Sequence, residues 1–282
     1  MGRAMPNFLG IGAMKSGTTW IAEILSAHPE IFVAHGKELH YFSHKYSEGI
    51  EWYLNHFRTV HKEKAVGEYS PSYMMESQVV SQRIYEFNPK MKLIVTVRNP
   101  MERAFSVYRW LIQRGEKLSS LHDAIEKWPG IVLDGLYFQK LKPYWDLFSD
   151  DQIHIVLYED IENNAIKVQR DLYQFLEVDK EFNSNLADTV VGKTISPRIQ
   201  TVEIIRSHIH TWTKQHNVAF IITWAKKIGI SQLYRRFNDK SEQDSMLTSE
   251  DRKKIYPYFA EDIKKFRDKT GLGISFWCEE YR

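Results

Sequence analysis

Residues 10–20, GIGAMKSGTTW, concentrate groups that bind anions. The run NFLGIG (7–12) reads as a buried strand and TTWIAEILSAH (18–28) as a helix, so a short turn joins a strand to a helix N-terminus. Backbone N–H groups there point the same way, at the positive end of the helix dipole, and favour a negative ligand. Gly12 and Gly17 allow a tight turn and let ligand oxygens approach the main chain. Thr18 and Thr19 add hydroxyl donors in the first helical turn, and Lys15 adds a positive charge inside the loop. Lys15, Ser16, Gly17, Thr18, Thr19 and Trp20 are the candidate anion-binding set. A plain strand-to-helix turn also uses glycine and threonine, but it has no need of the whole run Lys-Ser-Gly-Thr-Thr.

The position of the lysine narrows the ligand. Loops that bind ATP with Mg²⁺ place a lysine directly after the second glycine, where it reaches the outer phosphates, and the next Ser or Thr holds the metal. Here Thr18 occupies that place and Lys15 stands three residues before it. The shift favours a shorter anion, charged at one bridging position near the 5′ end of a nucleotide. A second cation is offered by KLIVTVRNPMERAFSVY (92–108). Arg98 follows an apolar strand, so it stands at the carboxyl edge of the sheet, where open α/β sheets bind their ligands. Asn99 suits the cap of the next helix and Pro100 its first position. Arginine suits bidentate phosphate contact, and Ser106 adds a hydroxyl from the helix. Taken alone, this segment reads equally as a surface arginine paired with Glu102.

KELHYF (37–42) follows the second strand and brings a carboxylate and an imidazole, Glu38 and His40, to the same edge. In an extended segment their spacing of two puts both side chains on one face. A carboxylate beside an acceptor hydroxyl takes its proton as the oxygen attacks. Either Glu38 is that base, with His40 orienting the acceptor or sharing the proton, or His40 is the base and Glu38 orients it. Lys37 offsets the charge of Glu38.

With these residues in view, AMKSGTTWI resembles the 5′-phosphosulfate loop of sulfotransferases that use 3′-phosphoadenosine 5′-phosphosulfate (PAPS). KLIVTVRNPMERAFSVY resembles their 3′-phosphate motif, a strand followed by an arginine, Arg98, and a serine eight residues on, Ser106. HPEIFVAHGKELHYF and GIEWYLNHF are most similar to the bacterial and heparan-sulfate-type branch. The matched motifs span roughly residues 8–108, with a weaker tail near YFAEDIKKFRDKTG. The resemblance implies PAPS as co-substrate, 3′-phosphoadenosine 5′-phosphate (PAP) as product, and Glu38 as base, with no metal expected. Two departures stand out. Related heparan-sulfate enzymes carry a lysine after the glutamate of the third-strand motif, where GEYSPSYM has Tyr69. The Arg-Lys-Gly loop of cytosolic members is absent, and VGKTISPRIQ (191–200), with Lys193 and Arg198, is the nearest substitute for a phosphate contact.

Positioning these groups requires strands that end side by side. IFVA (31–34), AVGEYS (65–70), KLIVTV (92–97) and QIHIVLY (152–158) read as further strands. SQVVSQRIYEFN (77–88), MERAFSVYRWLIQRG (101–115) and AIKVQRDLYQFL (165–176) read as helices between them. Such alternation implies an α/β fold with a central, mostly parallel sheet flanked by helices, and a P-loop-like turn after the first strand. From Ile199 the chain reads as helical, over 199–216, 218–237 and 249–269. The whole 282-residue chain is expected to form one domain, with 199–240 a helical elaboration on the acceptor side.

A net charge of only +2 argues against a nucleic-acid partner, which would want a strong basic excess. One cysteine, Cys278, rules out an internal disulfide framework and fits a reducing compartment. The longest apolar run, VAFIITWA (218–225), is far short of the roughly 20 residues of a membrane span. A soluble, cytoplasmic enzyme is the expectation. The acceptor is either a carbohydrate or an alcohol on a lipid, polyketide or acyl chain, the last carried by a protein. VAFIITWAKKIGISQLYRRF (218–237) reads as a packed helix or as a lid over an apolar acceptor. Two other classes stay open: a P-loop kinase or NTPase, against which the lysine position speaks, and a non-catalytic module that binds adenosine phosphates without turnover.

Overall fold

Short runs of apolar and β-branched residues become strands, and because helices cover both faces they need no polar alternation. The computed structural model describes residues 4–34, 38–184, 186 and 247–278. Five strands, β1 (Phe8–Gly12), β2 (Ile31–Val33), β3 (Ala65–Tyr69), β4 (Lys92–Val97) and β5 (Ile153–Leu157), form one sheet in the order β2-β3-β1-β4-β5. Every neighbouring pair is parallel. The chain builds outward from β1 first towards β2 and then, after β3, towards β4 and β5. The direction of building therefore reverses at β1, and ligands of open α/β sheets lie beyond the carboxyl ends of the strands at such a switch.

The helices are α1 (Thr18–Ala27), α2 (Ile50–Leu54), α3 (Ser72–Met75), α4 (Ser77–Phe87), α5 (Pro100–Gln113), α6 (Leu121–Lys127), α7 (Gly130–Leu133), α8 (Tyr137–Trp145), α9 (Tyr158–Phe175), α10 (Ser249–Ile255) and α11 (Ala260–Thr270). The five expected strands are all present, with ends shifted by a residue or so. Two helical expectations change. α9 starts directly at Tyr158, not at residue 165, and kinks at Asn164 (φ −152°, ψ 59°). The helix expected over 249–269 is divided into α10 and α11 by a 3₁₀ turn at Tyr256–Tyr258. Pro257 lies in that turn and lacks the N–H an α-helix would use. The expected helices at 199–216 and 218–237 lie outside the described residues, as do Lys37, Lys193 and Arg198.

The chain divides into two compact units. One comprises Met1–Arg103, Val132–Gly192 and Tyr256–Arg282 and contains the whole sheet; the other comprises Ala104–Ile131 and Lys193–Ile255. In the sheet unit, Phe8, Trp20, Ile21, Ile24, Tyr69, Ile94, Leu172 and Tyr173 belong to one buried cluster that joins β1, β3 and β4 to α1 and α9. Near the carboxyl terminus Trp277, with no exposed surface, stacks on Phe266 of α11 with the ring planes 3° apart. Its indole N–H donates to Glu159 Oε1 at 3.2 Å.

Replacing Trp277 with Ala should cost about 3–5 kcal/mol, the usual loss for a buried aromatic side chain. Chemical denaturation of the two proteins measures it, and a cost below about 1 kcal/mol would contradict the burial seen here.

Candidate active site

The turn after β1 is held open by its own backbone. Tyr69 Oη and Thr96 Oγ1 both donate to the Gly12 carbonyl, at 2.9 and 3.0 Å, and the Ala13 N–H donates to the Thr96 carbonyl at 2.6 Å. Lys15 (φ 69°) and Gly17 (φ 90°) take left-handed backbone. At Gly17 a side chain would be strained by that φ, and its Cβ would meet Tyr158 and Ile161 at 3.0 Å. Gly17 caps α1 without a side-chain acceptor. Ser16 Oγ is fully buried and makes no hydrogen bond of good geometry, although the Tyr137 phenol lies close by. An orphaned buried hydroxyl beside helix N–H groups and a lysine fits an anionic oxygen atom. Of the candidate set, Lys15, Ser16, Gly17, Thr18 and Thr19 are brought together at this turn. The Trp20 ring is 3% exposed and part of the core, so only its main chain remains for a ligand.

Arg98 follows β4, the neighbour of β1, three residues beyond Val95, the partner of Gly12 at the loop's origin. Asn99 Oδ1 accepts from the Met101 N–H at 3.0 Å and caps α5, with Pro100 in the first turn. The Asn99 N–H donates to Glu159 Oε1 at 2.8 Å, and the Tyr137 hydroxyl donates to the Arg98 carbonyl at 2.8 Å. Burial raises the Glu159 carboxyl above its ordinary range, against those hydrogen bonds. The guanidinium lies 4.5 Å from the centre of the Tyr158 ring and 3.7 Å from Glu102 Oε2. The pairing with Glu102 exists, but through one long contact. Tyr158 lies against both Gly17 and Arg98, so one ring sits between the loop glycine and the arginine. Ser106 is a buried residue of α5, in the other unit.

The acceptor-side pair needs one correction. Glu38 and His40 do not lie in an extended segment, because both have left-handed backbone, with φ of 75° and 56°. Their side chains still meet, His40 Nε2 lying 3.7 Å from Glu38 Oε2, and both are about one third exposed, at 31% and 39%. The backbone is turned by β3. The Leu39 N–H donates to Glu68 Oε2 at 3.4 Å, and the His40 N–H donates to Ser70 Oγ at 3.0 Å. Ser70 Oγ in turn donates to Glu68 Oε2 at 2.6 Å, and the Tyr73 hydroxyl donates to Glu68 Oε1. His40 Nδ1 lies 2.7 Å from Ser72 Oγ, itself 2.8 Å from Ser43 Oγ. Burial lowers the His40 pKa, partly offset by Glu38. Outside this knot, His44 Nδ1 is 2.9 Å from Glu76 Oε1, both at the surface.

Sequence reasoning did not single out Glu68, Ser70, Ser72, Ser43 or Tyr158. The signal for Glu68 was a charged residue inside an otherwise apolar strand. Tyr69, at the place of the lysine of related enzymes, points to the opposite face and is 1% exposed under the phosphate loop.

Comparison with known proteins assigns this arrangement to a class. Residues 6–270 match the family described as Sulfotransferase domain, and the chain belongs to that family. It is 39% identical over 112 residues to the membrane-associated sulfotransferase kil1 of Dictyostelium discoideum, covering 39% of this chain and 24% of that protein. It is 30% identical over 166 residues to heparan sulfate glucosamine 3-O-sulfotransferase 5 of Mus musculus, covering 54% of this chain and 47% of the relative. The chain thus spans a quarter to a half of these curated relatives. A sulfotransferase structure from Alicyclobacillus acidocaldarius shares the fold, with a TM-score of 0.71, 22% identity, and coverage of 97% of this chain and 99% of that one. Among the described residues, no helix is long and apolar enough to cross a membrane.

Glu68 gives the site a pH signature. Its side chain is fully buried, and burial pushes the carboxyl up to about 7, against the hydrogen bonds from Ser70, Tyr73 and Leu39 that favour the anion. A carboxyl whose folded pKa is raised adds stability that is full below its unfolded pKa and is lost as pH climbs through the folded value. Between about pH 4.5 and 7 the native protein should therefore lose up to about 3 kcal/mol relative to Glu68→Gln, which cannot ionise. Urea titrations of both proteins at pH 5 and pH 8 test this; a stability difference that does not change with pH refutes it.

Proposed function

We propose that this chain transfers a sulfuryl group from PAPS to a hydroxyl of a carbohydrate acceptor. The observation that carries the reading is the order of groups along one sheet edge. The carboxylate of Glu38 follows β2, the anion loop with Lys15 follows β1, and Arg98 follows β4. That order suits a nucleotide held at its 3′-phosphate by Arg98 and at its 5′ end by Lys15, Ser16, Gly17, Thr18 and Thr19, its reactive end towards Glu38. Ser106, Lys193 and Arg198 stay expectations from the sequence for further phosphate contacts.

The co-substrate supplies the sulfuryl group. Glu38 takes the proton of the attacking hydroxyl, and His40 shares the proton work. Lys15 and the N–H groups at the start of α1 stabilise charge that grows on the departing oxygen, a contribution of the oxyanion-hole kind. The loop suits a single bridging charge better than ATP with Mg²⁺, because Thr18 stands where a P-loop lysine would be. The acceptor-side surface supports a polar acceptor: the exposed His44 and Glu76 side chains meet at 2.9 Å beside His40, whose ring lies 5.4 Å from that of His44. The names of the heparan sulfate relatives point the same way. A cytoplasmic location fits the single cysteine.

Calorimetry should show PAP binding and little binding of ATP with Mg²⁺; the reverse would return the chain to the kinase and NTPase class. Arg98→Ala should weaken PAP by about 10–100-fold, the worth of a charge-assisted hydrogen bond. Labelled PAPS offered to heparan sulfate, sterols, phenols and acyl carrier proteins identifies the acceptor, and label on a sterol or acyl chain would defeat the carbohydrate reading. With the acceptor in hand, Glu38→Gln should cut turnover by at least about a hundredfold while PAP affinity stays within about twofold. PAP binding without transfer to any acceptor would leave a non-catalytic binding module.

A further inference from the structure

The hydroxyls behind His40 determine which ring nitrogen carries its proton. Ser43 Oγ has one proton and lies 3.3 Å from the His40 carbonyl, an acceptor that also takes the Lys45 N–H at 2.9 Å and cannot itself donate. If that bond is made, the 2.8 Å contact between the two serines must use the Ser72 proton, with Ser43 Oγ accepting. Ser72 Oγ then has only lone pairs for His40 Nδ1 at 2.7 Å, so Nδ1 must carry the hydrogen. This arrangement closes a ring of three hydrogen bonds. The reverse arrangement keeps two, Ser43 to Ser72 and Ser72 to Nδ1. It aims an Nε2–H at Glu38 Oε2, which at 3.7 Å is beyond hydrogen-bond distance, and it gives up the bond to the carbonyl. The groups facing the imidazole are Glu38, His44 and Glu76, and the partly buried ring is held towards its neutral form.

We propose that Ser43 and Ser72 are positioning residues that hold His40 as the Nδ1–H tautomer, leaving the Nε2 lone pair to receive the proton that Glu38 removes from the acceptor. The proposal rests on the sulfuryl-transfer reading and deepens it, because Glu38 and His40 then act in series instead of as rival bases. The bond from the acceptor oxygen to sulfur forms as the bond from sulfur to the bridging oxygen breaks, and that electron pair stays on the departing phosphate of PAP. The acceptor proton passes to Glu38 Oε2, and it reaches His40 Nε2 once these two partly exposed side chains close from 3.7 Å to hydrogen-bond distance. The carboxylate is restored and the ring becomes a cation beside it.

The test is nitrogen NMR on the full chain labelled at its histidines, with the His40 resonances among the eleven identified by their loss in His40→Gln. In the unliganded protein His40 should show a proton on Nδ1 and a bare Nε2. Ser72→Ala should remove the Nδ1–H signal and return the ring to the Nε2–H form. Ser43→Ala should shift it the same way, and it reads the same effect if the first variant does not fold. Glu38→Gln should lower the pH at which Nε2 takes up a proton. An Nε2–H tautomer in the native protein, a tautomer unchanged in both folded serine variants, or a titration indifferent to Glu38 would each overturn the proposal. PAP titrated into the same samples separates the two levels of argument. Native protein that does not bind PAP defeats the sulfuryl-transfer reading whatever the tautomer, whereas PAP affinity retained within about twofold in Ser72→Ala keeps the serine effect on the acceptor side.

Discussion

The Gly12 carbonyl marks where the chain leaves β1, and two hydroxyls hold it, one from Tyr69 on β3 and one from Thr96 on β4. Both neighbouring strands thus fix the first peptide of the turn after β1. The loop then needs left-handed backbone at Lys15 and Gly17 to bring its N–H groups round to one side. A non-glycine residue in that region costs roughly 1 kcal/mol or more, which an isolated turn would relax. Here the register of three strands and the wall formed by Tyr158 and Ile161 leave little room to do so. Ser16 is buried in the same stroke, with a hydroxyl whose hydrogen-bonding capacity is unused in the protein. The left-handed loop is thus held by its neighbours, not by its own preference.

β3 serves both ends of the site because adjacent residues of a strand face opposite ways. Tyr69 goes beneath the phosphate loop, and Glu68 goes to the segment that carries Glu38 and His40. Glu68 has no surface to water, and its oxygens are met by Ser70, Tyr73 and the Leu39 N–H. A buried acid of this kind is a poor source of net stability. Its value lies in geometry: it accepts from residue 39 directly and reaches the N–H of residue 40 through Ser70, and so holds a turn that Glu38 and His40 would not choose alone.

The sheet was legible because parallel strands buried on both faces appear as uninterrupted apolar runs, and KLIVTV and IFVA have that form. The start of α5 was legible from local chemistry, Asn99 before Pro100. The turn at 38–40 was not. Neither glutamate nor histidine signals left-handed backbone, and what imposes it comes from β3, about thirty residues later in the chain. Period-two reasoning therefore placed the two side chains on one face of a strand that does not exist, though they do meet. Tyr158 was hidden for a similar reason. It read as the end of a strand, whereas β5 passes straight into α9 and turns the ring towards Gly17 and Arg98.

That ring bears on how Arg98 is held. Its charge rests between a tyrosine face at 4.5 Å and one glutamate oxygen at 3.7 Å. Contacts of either kind at a partly exposed site are worth about 1 kcal/mol or less. A phosphate that presents two oxygens in the guanidinium plane offers more, so neither resting contact holds the arginine back from it. The same ring packs against Gly17, whose missing side chain leaves it that place. A larger residue at 17 would push Tyr158 outward and move the guanidinium's resting surface with it. Gly17 and Arg98 thus share one aromatic neighbour, and the missing side chain at 17 leaves that ring its place against the guanidinium.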